Sequence, residues 1–376
     1  MNICNLMSAP FPPEEGIGNY VYGLSTKLIE KGHKITVITR STSLKEEIDH
    51  IDGIDIFRAP FIPVYPFYMY VHGIFVNKIF NRLESTFDIV HLHTPLVPFI
   101  KTSLPVITTV HTPMKIDAKH IEIANANTLA RKAAARFISY PLELKLLKNS
   151  NMVVTVASSV VKELREYEVD IGDVKVVGNG VDEKIFIPQQ NPVKDRYILY
   201  TGRLDLRKGL FDLIECGRYI CREYPDVYFV IPGKGYLSDK LQKKVKDIGL
   251  QDKFKFLGYI NKEKLIQLYQ NATVYVTPSH YEGLPTVLLE AMSCGLPVVA
   301  TGVSGNLDVI LSGKNGILVP PKSPKKMADA VSMLLDDNEM RKSLGVAARK
   351  TIEERYTWDK ISNVMLECYN SLLETN

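Results

Sequence analysis

The stretch YEGLPTVLLEAMSCGLP, Tyr281 to Pro297, decides how this sequence is interpreted. It holds two glutamates, Glu282 and Glu290, separated by seven residues. Pro285 is typical of a first helical turn, where its missing N–H is not needed, and the closing GLP indicates a helix end. The pattern predicts a helix of about three turns, with Glu282 in the loop before it and Glu290 one to two turns inside it.

Strand-like segments flank this helix. Ala272 to Ser279 is rich in β-branched and aromatic residues, and Pro297 to Thr301 is a short apolar run. The resulting βαβ unit binds ligands at the carboxyl ends of its strands, where Glu282 falls. The first N–H groups of the helix, from Gly283 to Val287, favour a phosphate. The glutamates can accept hydrogen bonds from sugar and ribose hydroxyls, whereas an ordinary surface helix is the alternative.

Length and composition limit the class of protein. A chain of 376 residues predicts two domains, and 45% apolar with 23% charged residues is ordinary for a soluble globular protein. The net charge of +4 is too small to indicate a nucleic-acid partner. The five cysteines are scattered without a C-x2-C pair, which favours a reduced, cytoplasmic protein. The first residues resemble a strand followed by prolines rather than a secretory signal.

The first half opens as a strand, a glycine-containing loop, a helix and a second strand. Asn2 to Met7 leads into the loop with Gly16 and Gly18, and His33 to Thr39 is the second strand. This order is typical of nucleotide-binding folds. The loop lacks the third glycine of the Rossmann fingerprint, so a turn role and a phosphate role both stay open.

Three histidines fall near the ends of two further predicted strands, Phe87 to His93 and Pro105 to His111. They are His91, His93 and His111. No neighbouring Asp or Glu cluster completes a metal set at recognisable spacing, so we predict no metal. A histidine at a strand end is more often structural than catalytic.

An aromatic segment, Ala59 to Asn77, carries no charge apart from a proton on His72 and approaches the length of a membrane span. Its three prolines argue against a spanning helix and favour a loop followed by a helix. This segment lines an acceptor pocket, touches a membrane surface or packs as an ordinary loop. Asp117 to Asn149 is predicted to be mostly helical, and its basic residues form either a solvated face or a contact for anionic lipid headgroups. These residues are Arg131, Lys132 and Arg136.

The second half begins after a polar, proline-containing linker at Ile187 to Arg196. A strand at Tyr197 to Thr201 leads into GRLDLRKG, Gly202 to Gly209. Its Arg203 and Lys208 suit a diphosphate, since arginine binds in a bidentate way and lysine acts as a point charge; a charged surface loop is the alternative. Alternating strands and helices in both halves predict an α/β protein with two doubly wound domains.

The motifs together resemble the family 4 glycosyltransferases of the GT-B fold. In chain order they are GxGN near the start, HTP at His111, GNGVD at Asn179, GRLDLRKG at Arg203, Glu282 and Glu290, and a glycine loop before GxNGxLV. The resemblance covers nearly the whole chain. It implies two Rossmann-like domains facing across a cleft, an acceptor-side domain at residues 1–186 and a nucleotide-sugar domain at residues 187–357. The helix at residues 358–376 is expected to pack back onto the first.

The resemblance also implies the activity: retaining transfer of a hexose from a UDP- or GDP-sugar to an acceptor hydroxyl, without metal or cofactor. The aromatic segment and the basic region favour a glycan or lipid-linked acceptor, and a small soluble acceptor is the alternative. It puts Arg203 and Lys208 on the donor phosphates, Glu282 and His111 near the donor sugar, and Glu290 on the ribose. The catalytic set is therefore Glu282, His111, Arg203 and Lys208. The donor-binding set adds Gly16, Gly258, Gly283, Leu284, Pro285, Thr286 and Glu290.

The sequence departs from the family pattern in two places, with Glu15-Gly16 where paired glycines are common and Asp308 where Glu is usual. Two other function classes stay open: a GT-B-fold nucleotide-sugar epimerase and a non-catalytic sugar-binding protein. Acceptor-dependent release of nucleotide separates the first from a transferase. The expected location is cytoplasmic, with peripheral contact at the membrane face as one alternative.

Overall fold

The computed structural model describes residues 1–11, 16–119, 126–167, 170–189 and 196–374. The chain divides into two compact units. The first unit comprises Met1–Gly180 together with Trp358–Asn376, and the second comprises Val181–Thr357. Three predicted features lie wholly or partly outside the described residues: Glu15, the middle of the linker at 190–195, and residues 120–125 of the predicted helical region.

Within the described residues, the first unit contains eight strands, seven α-helices and a π-helical turn. The strands are β1 (Asn2–Leu6), β2 (Lys34–Arg40), β3 (Glu47–Ile51), β4 (Ile54–Ala59), β5 (Ile89–Thr94), β6 (Val106–Val110), β7 (Met152–Thr155) and β8 (Val174–Val176). The helices are α1 (Ile17–Glu30), α2 (Tyr68–Leu83), α3 (Met114–Lys119), α4 (Ala126–Ala134), the π-helical turn Ala135–Ser139, α5 (Tyr140–Lys148), α6 (Ser158–Leu164) and α14 (Trp358–Glu374).

The sheet of the first unit has the order β3-β4-β2-β1-β5-β6-β7-β8, and all pairs are parallel except β3 with β4. Its central strands, such as β6, are apolar or buried throughout, because helices cover both faces of a parallel sheet. The order reverses between β1 and β5, so the loop after β1, which ends at Gly16, follows a strand at the reversal point.

The antiparallel pair β3 and β4 is absent from the strands predicted above. A two-residue turn joins the pair, and both turn residues have positive φ, 52° at Asp52 and 81° at Gly53. Asp-Gly is the pair that such a tight hairpin turn requires. The short turn motif was therefore the signal that could have revealed this edge of the sheet.

The last helix packs onto the first unit through Trp358. A Cβ atom at Gly23 would lie 2.2 Å from the indole ring, and one at Gly180 would lie 2.4 Å from it. Because only glycine leaves room for the ring at both positions, the indole packs against α1 at Gly23 and against the backbone at Gly180. On the surface, Lys31 Nζ lies 2.8 Å from Asp359 Oδ1.

Within the described residues, the second unit has six strands and seven α-helices. The strands are β9 (Tyr197–Leu199), β10 (Tyr228–Pro232), β11 (Phe254–Gly258), β12 (Val274–Thr277), β13 (Val298–Thr301) and β14 (Ile317–Val319). The helices are α7 (Leu210–Glu223), α8 (Ser238–Asp247), α9 (Lys262–Asn271), α10 (Thr286–Ser293), α11 (Asn306–Val309), α12 (Pro324–Asp336) and α13 (Asn338–Arg355).

All strand pairs of the second unit are parallel, in the order β11-β10-β9-β12-β13-β14. Counted from β9, this is the 3-2-1-4-5-6 order of doubly wound dinucleotide-binding sheets. Its core includes Ile198 of β9 and Phe229 of β10, together with the inner faces of α7 and α12.

Two predicted boundaries differ from the structure. The first unit ends at Gly180, whereas the sequence suggested residue 186. Val181 donates its N–H to Tyr356 O, and the Arg349 guanidinium donates to the carbonyls of Glu183 and Phe186, so this segment is fixed to the second unit. The helix after Pro285 is also shorter than predicted, with 8 residues, or about two turns.

Candidate functional site

The strand order of the second unit reverses between β9 and β12, and open α/β sheets bind ligands at the carboxyl ends of the strands at such a point. The loop after β9 contains Arg203 and Lys208, and the loop after β12 contains Glu282. The strand order therefore brings together two motifs that are distant in the sequence: Lys208 and Glu282 lie 74 residues apart.

Lys208 and Glu282 form an ion pair at this point. The Lys208 ammonium donates to both carboxylate oxygens, at 2.7 Å to Oε1 and 2.9 Å to Oε2. Ser279 Oγ donates to Oε1 at 2.6 Å. The Lys208 side chain is 16% exposed and that of Glu282 is 8% exposed. The pair is therefore poorly solvated and held in one geometry.

The close approach of the two loops depends on Gly209. This residue has φ 65°, and a Cβ atom there would lie 2.0 Å from Pro278 O. The N–H of His280 donates to Arg207 O at 2.7 Å, and its ring nitrogen Nε2 lies 2.7 Å from Asp212 Oδ2. These contacts hold the loop after β9 against the loop after β12.

Arg203 lies on the same loop but is 51% exposed. Its backbone carbonyl accepts a hydrogen bond from Tyr200 OH at 2.9 Å, and its Nε lies 3.7 Å from Asp205 Oδ2. A Cβ atom at Gly233 would lie 2.0 Å from Gly202 O, so the loop rests directly on the backbone after β10. The backbone of Arg203 is thus fixed while its side chain extends into solvent.

The start of α10 completes this edge of the site. Pro285 precedes the helix and Thr286 is its first residue, so the first N–H groups lack intrahelical acceptors. Leu284 is buried, and a Cβ atom at Gly305 would lie 1.6 Å from Gly283 O. The glycine loop after β13 therefore lies against the residues that lead into the helix. Together with Lys208, the helix start forms a positive region suited to an anion.

Glu290 lies inside α10 and is half-buried. Tyr269 OH donates to its Oε2 at 2.9 Å. Burial raises the pKa of Glu290 to about 7, and the hydrogen bond from Tyr269 opposes that rise. The carboxyl group therefore changes its charge near neutral pH, which affects any ligand that needs its ionised form.

Gly258 ends β11, and its carbonyl accepts a hydrogen bond from the N–H of Gly233 at 2.7 Å. It lies on the same carboxyl edge of the sheet as the loops described above, because all these strands are parallel. Because glycine has no functional side chain, Gly258 can contact a ligand only through its backbone.

The other two predicted positions, Gly16 and His111, lie in the first unit. Gly16 directly precedes α1 and has φ 59°. His111 follows β6 and is 9% exposed; its ring lies edge-on to Tyr20, with centroids 4.8 Å apart. Burial lowers the pKa of His111 to about 3, so its imidazole is neutral at physiological pH. The predicted residues of the second unit thus gather at one edge, and these two occupy the first unit.

Sequence reasoning missed three contributors. Ser279 hydrogen-bonds Glu282, Tyr269 hydrogen-bonds Glu290, and His280 joins the two loops. Ser279 ends the strand-like run before the motif, and a polar residue at a strand end was the available signal. Tyr269 lies on a different helix, so only the fold reveals its contact.

Within the described residues, no group of three or more His, Cys, Asp or Glu side chains is arranged to hold a metal ion. In the same part of the chain, no helix has both the length and the apolar content needed to cross a bilayer.

The sequence matches two family models. "Glycosyl transferases group 1" matches residues 181–351, and "Glycosyltransferase Family 4" matches residues 15–184. An uncharacterised glycosyltransferase of Methanocaldococcus jannaschii is 28% identical, over 97% of this chain and 97% of its own.

Solved structures share the fold of this chain. Sucrose-phosphate synthase from Thermosynechococcus elongatus has a TM-score of 0.85 at 21% identity, covering 100% of both chains. The Anabaena protein HepE in complex with UDP-glucose has a TM-score of 0.74 at 16% identity, covering 99% of this chain and 100% of its own. At these identities the likeness shows the fold, and the predicted GT-B class is confirmed.

Proposed function

Because this chain belongs to the family 4 glycosyltransferases, we propose that it transfers a hexose from a UDP-sugar to an acceptor hydroxyl with retention of anomeric configuration and without a metal ion. It is a transferase enzyme by its family. The complex of the structurally similar HepE with UDP-glucose supports uridine as the donor base. A GDP-sugar remains the alternative donor.

The Lys208–Glu282 ion pair carries the proposal. Cleavage of a nucleotide sugar places negative charge on the leaving diphosphate, and a fixed cation stabilises that charge without reorganisation. Lys208 is held at 2.7 Å by Glu282, and Glu282 lies in the loop that leads into α10, four residues before its first residue. Since an ammonium has three donors, it can bind a phosphate oxygen while it keeps Glu282.

Arg203 supplies the second cation. Its side chain is 51% exposed on a loop whose backbone is fixed. A guanidinium can turn to bind a diphosphate in a bidentate way. Lys208, Arg203 and the first N–H groups of α10 together provide the charge that a metal ion supplies in other transferases, which supports a metal-independent reaction.

Glu282 is proposed to orient the donor sugar rather than to attack it. Both of its oxygens already accept hydrogen bonds from Lys208, and Oε1 also accepts one from Ser279. These bonds reduce the nucleophilicity of the carboxylate, which supports a reaction without a covalent glycosyl-enzyme. The acceptor hydroxyl then attacks from the side of the leaving diphosphate, and the diphosphate takes its proton.

Glu290 is proposed to accept hydrogen bonds from the ribose hydroxyls. It lies on α10, the helix that follows the loop of Glu282, so a diphosphate bound at the start of this helix would leave the nucleoside within reach of α10. The Tyr269 hydroxyl holds one oxygen of the carboxylate and leaves the other for the ligand.

A glycan or lipid-linked acceptor, reached by peripheral contact of a cytoplasmic protein with a membrane, is the proposed partner. Large apolar side chains are exposed on the loop before α2 and on α2 itself, and further ones on α4 and the following π-helical turn. They are Val64, Tyr65, Phe67, Tyr70, Ile74, Leu129 and Phe137. Burial raises the pKa of Tyr68 and the charge of Arg131 opposes that rise, so Arg131 acts electrostatically on the start of α2. Exposed Arg131 and Arg136 add the positive charge that favours anionic lipid.

A donor screen on purified protein tests the proposed function. UDP- and GDP-linked glucose, galactose, mannose and N-acetylglucosamine are incubated with the enzyme, with and without EDTA. Slow hydrolysis of one UDP-sugar that EDTA leaves unchanged is the expected result. Conversion of one nucleotide sugar into another would instead indicate an epimerase, and binding without turnover a non-catalytic sugar-binding protein.

A further inference from the structure

Three buried hydroxyl groups link the sheet of the second unit to Glu290. Tyr275 OH lies 3.1 Å from Thr201 Oγ1, and Thr201 Oγ1 lies 2.7 Å from Tyr269 OH. Tyr269 OH donates to Glu290 Oε2 at 2.9 Å. The three residues are at most 3% exposed, so these contacts replace hydration that the hydroxyls lost on folding. Together they form one hydroxyl chain that ends on a carboxylate.

The strand order puts the hydroxyl chain in place. Tyr275 lies in β12 and pairs with Leu199, the last residue of β9. Thr201 follows two residues later, and these two strands are the ones between which the strand order reverses. Tyr269 lies on α9 and Glu290 on α10. The hydroxyl chain therefore runs from the centre of the sheet, through α9, to the helix that follows the loop of Glu282.

Each hydroxyl group has one proton, and this limit gives the chain a direction. An ionised Glu290 only accepts, so Tyr269 uses its proton on Oε2 and must accept from Thr201. Thr201 then donates to Tyr269 and accepts from Tyr275. Every hydroxyl points its proton toward the carboxylate, and hydrogen bonds aligned in this way strengthen one another.

Protonation of Glu290 removes the reason for this direction. A carboxylic acid can donate to Tyr269, whose own proton can turn to Val287 O, 3.3 Å away on α10. The direction of the hydroxyl chain and the charge of Glu290 are therefore coupled. Burial raises the pKa of Glu290 to about 7, and the hydrogen bond from Tyr269 opposes that rise. The aligned chain thus favours the ionised form.

Packing alone does not account for the three hydroxyls. Phenylalanine and valine have nearly the same shapes as tyrosine and threonine and need no hydrogen-bond partner in a core. The common end of the three hydroxyls is one oxygen of Glu290. This residue is half-buried, and its Oε1 accepts no hydrogen bond within the described residues, so Oε1 is the oxygen left for a ligand.

We propose that the hydroxyls of three positioning residues hold Glu290 Oε2 as one directed chain and leave Oε1 to accept a hydrogen bond from the ribose of the donor. The three residues are Tyr269, Thr201 and Tyr275. The choice of ligand rests on the proposed function. All four residues lie in the second unit. Because the chain acts on the charge of Glu290, its loss should change the pH dependence of donor binding.

Within the described residues, the other titratable and charged groups that face Glu290 or its neighbours keep one charge state near neutral pH. They are Tyr269 and Lys262 on α9, Tyr275 in β12, Cys294 at the end of α10 and Arg349 on α13. Burial raises the pKa of both phenols and of the thiol far above neutral pH, and the other two groups are cations. A titration near pH 7 therefore reports on Glu290.

Carbon-13 NMR of the full-length protein, labelled at the glutamate carboxyl carbons, tests the hydroxyl chain without any ligand. The signal that is absent from Glu290→Gln belongs to Glu290. Tyr269→Phe removes the donor to Oε2, so the titration of Glu290 should move to higher pH. Tyr197→Phe is the matched control, because it removes the hydrogen bond of Tyr197 OH to Leu268 O, also between β9 and α9, without touching the chain.

Calorimetry with UDP-glucose measures the consequence for binding. Tyr269→Phe should weaken affinity at pH 6 about tenfold, as for loss of a hydrogen bond to a charged group. The loss should shrink as the pH rises, because the carboxylate then ionises in both proteins. A residue that only supports the fold would lower affinity equally at every pH. Tyr197→Phe should bind as wild type does.

Thr201 tests whether the three hydroxyls act as one chain. Thr201→Val keeps the shape and removes the hydroxyl, so affinity at pH 6 should fall about threefold through the weakened bond from Tyr269. Thr201→Ser keeps a hydroxyl and should bind as wild type does. In the Tyr269→Phe background, Thr201→Val should have no further effect, because its route to Glu290 is gone. Additive losses would overturn the chain.

The outcomes separate this inference from the proposed function. Binding of UDP-glucose by wild type, with the same pH dependence in Tyr269→Phe, would overturn the role of the hydroxyl chain and leave the proposed transferase intact. Absence of binding by wild type would count against the proposed UDP-sugar donor, while the carboxyl titration still decides the chain. If Tyr269→Phe does not fold, Thr201→Val and Thr201→Ser decide by the same titration.

Discussion

Lys208 and Glu282 meet across the point at which the strand order of the second unit reverses, with the ammonium 2.7 and 2.9 Å from the two carboxylate oxygens. Each charge would be costly at this low exposure without the other. The pair therefore holds both charged groups in one geometry before any ligand arrives, and it fixes a cation on Glu282, four residues before the first residue of α10.

Lys208→Ala is expected to lower kcat/KM for the donor on the order of 10²–10³-fold, because it removes one preorganised charge from the leaving diphosphate. Steady-state turnover of the UDP-sugar measures the loss. Arg207→Ala, a charge change on the adjacent residue of the same loop, is the control and should stay near wild type. A Lys208→Ala enzyme with wild-type rates would contradict the phosphate role.

Glu290 predicts a pH dependence of donor affinity. Ribose hydroxyls favour the ionised carboxylate, so binding lowers a pKa that is about 7 in the free protein and releases a proton. Affinity should be constant above that pH and fall as the pH drops below it, by about tenfold per unit in the limit. Calorimetry should use a UDP-sugar rather than UDP, because a terminal phosphate group itself titrates near pH 6.

Glu290→Gln is the matched variant for that titration. It should weaken donor binding about tenfold or more at pH 8, in keeping with loss of a charged hydrogen bond, and remove the pH dependence. The raised pKa contributes stability that is fully present below 4.5 and is lost as the pH rises through about 7. The variant should therefore unfold no more easily than wild type at pH 8. A pH dependence that persists in it would exclude Glu290 as the titrating group.

Gly209→Ala should impair both stability and catalysis. Positive φ and a Cβ atom 2.0 Å from Pro278 O combine backbone strain with a steric clash, for a cost of about 3 kcal/mol. Gly249 has φ 72° but no atom within 4 Å of its Cβ position, so Gly249→Ala isolates the strain at about 1 kcal/mol. Thermal unfolding compares the two, and equal losses would show that the loops can separate freely.

The exposed apolar and basic surface of the first unit predicts binding to anionic membranes. Co-sedimentation with vesicles of phosphatidylcholine and 30% phosphatidylglycerol, a composition chosen to give a surface charge of roughly physiological size, should exceed that with pure phosphatidylcholine. Changing Arg131, Lys132 and Arg136 to Gln should weaken binding about 100-fold, at about 1 kcal/mol per charge. The same change at exposed Lys240, Lys243 and Lys246 of α8 is the control. Equal binding by both triple variants would rule out the proposed surface.

The sequence predicted most of the architecture because buried parallel strands leave apolar runs, and the turns between them use glycine and proline. The strand predicted from Tyr197 begins at that residue, and the strand predicted from His33 begins one residue later, at Lys34. The hairpin β3–β4 was not predicted because β3, Glu47 to Ile51, has no fully buried residue and does not alternate between apolar and polar residues. The Asp52-Gly53 turn was the feature of the sequence that indicated the hairpin.

The sequence predicted which residues belong to the site, but not which of them contact one another. Lys208 and Glu282 each belong to a motif, yet their pairing depends on the strand order, which no local pattern encodes. The hydrogen bond of Tyr269 to Glu290 joins two helices. The contacts of His93 with Asn5 and with His111 join β1, β5 and the residue after β6. Such long-range contacts arise only when the whole sheet forms.

Retaining transfer without metal is tested by the anomeric configuration of the first product. An α-linked UDP-sugar is incubated with enzyme and EDTA, and proton NMR follows the anomeric signal of the released or transferred sugar before mutarotation. The α-anomer, formed at the same rate with and without EDTA, is the result that a fixed Lys208–Glu282 pair predicts. A β-anomer, or a rate that collapses on chelation and returns with a divalent cation, would contradict it.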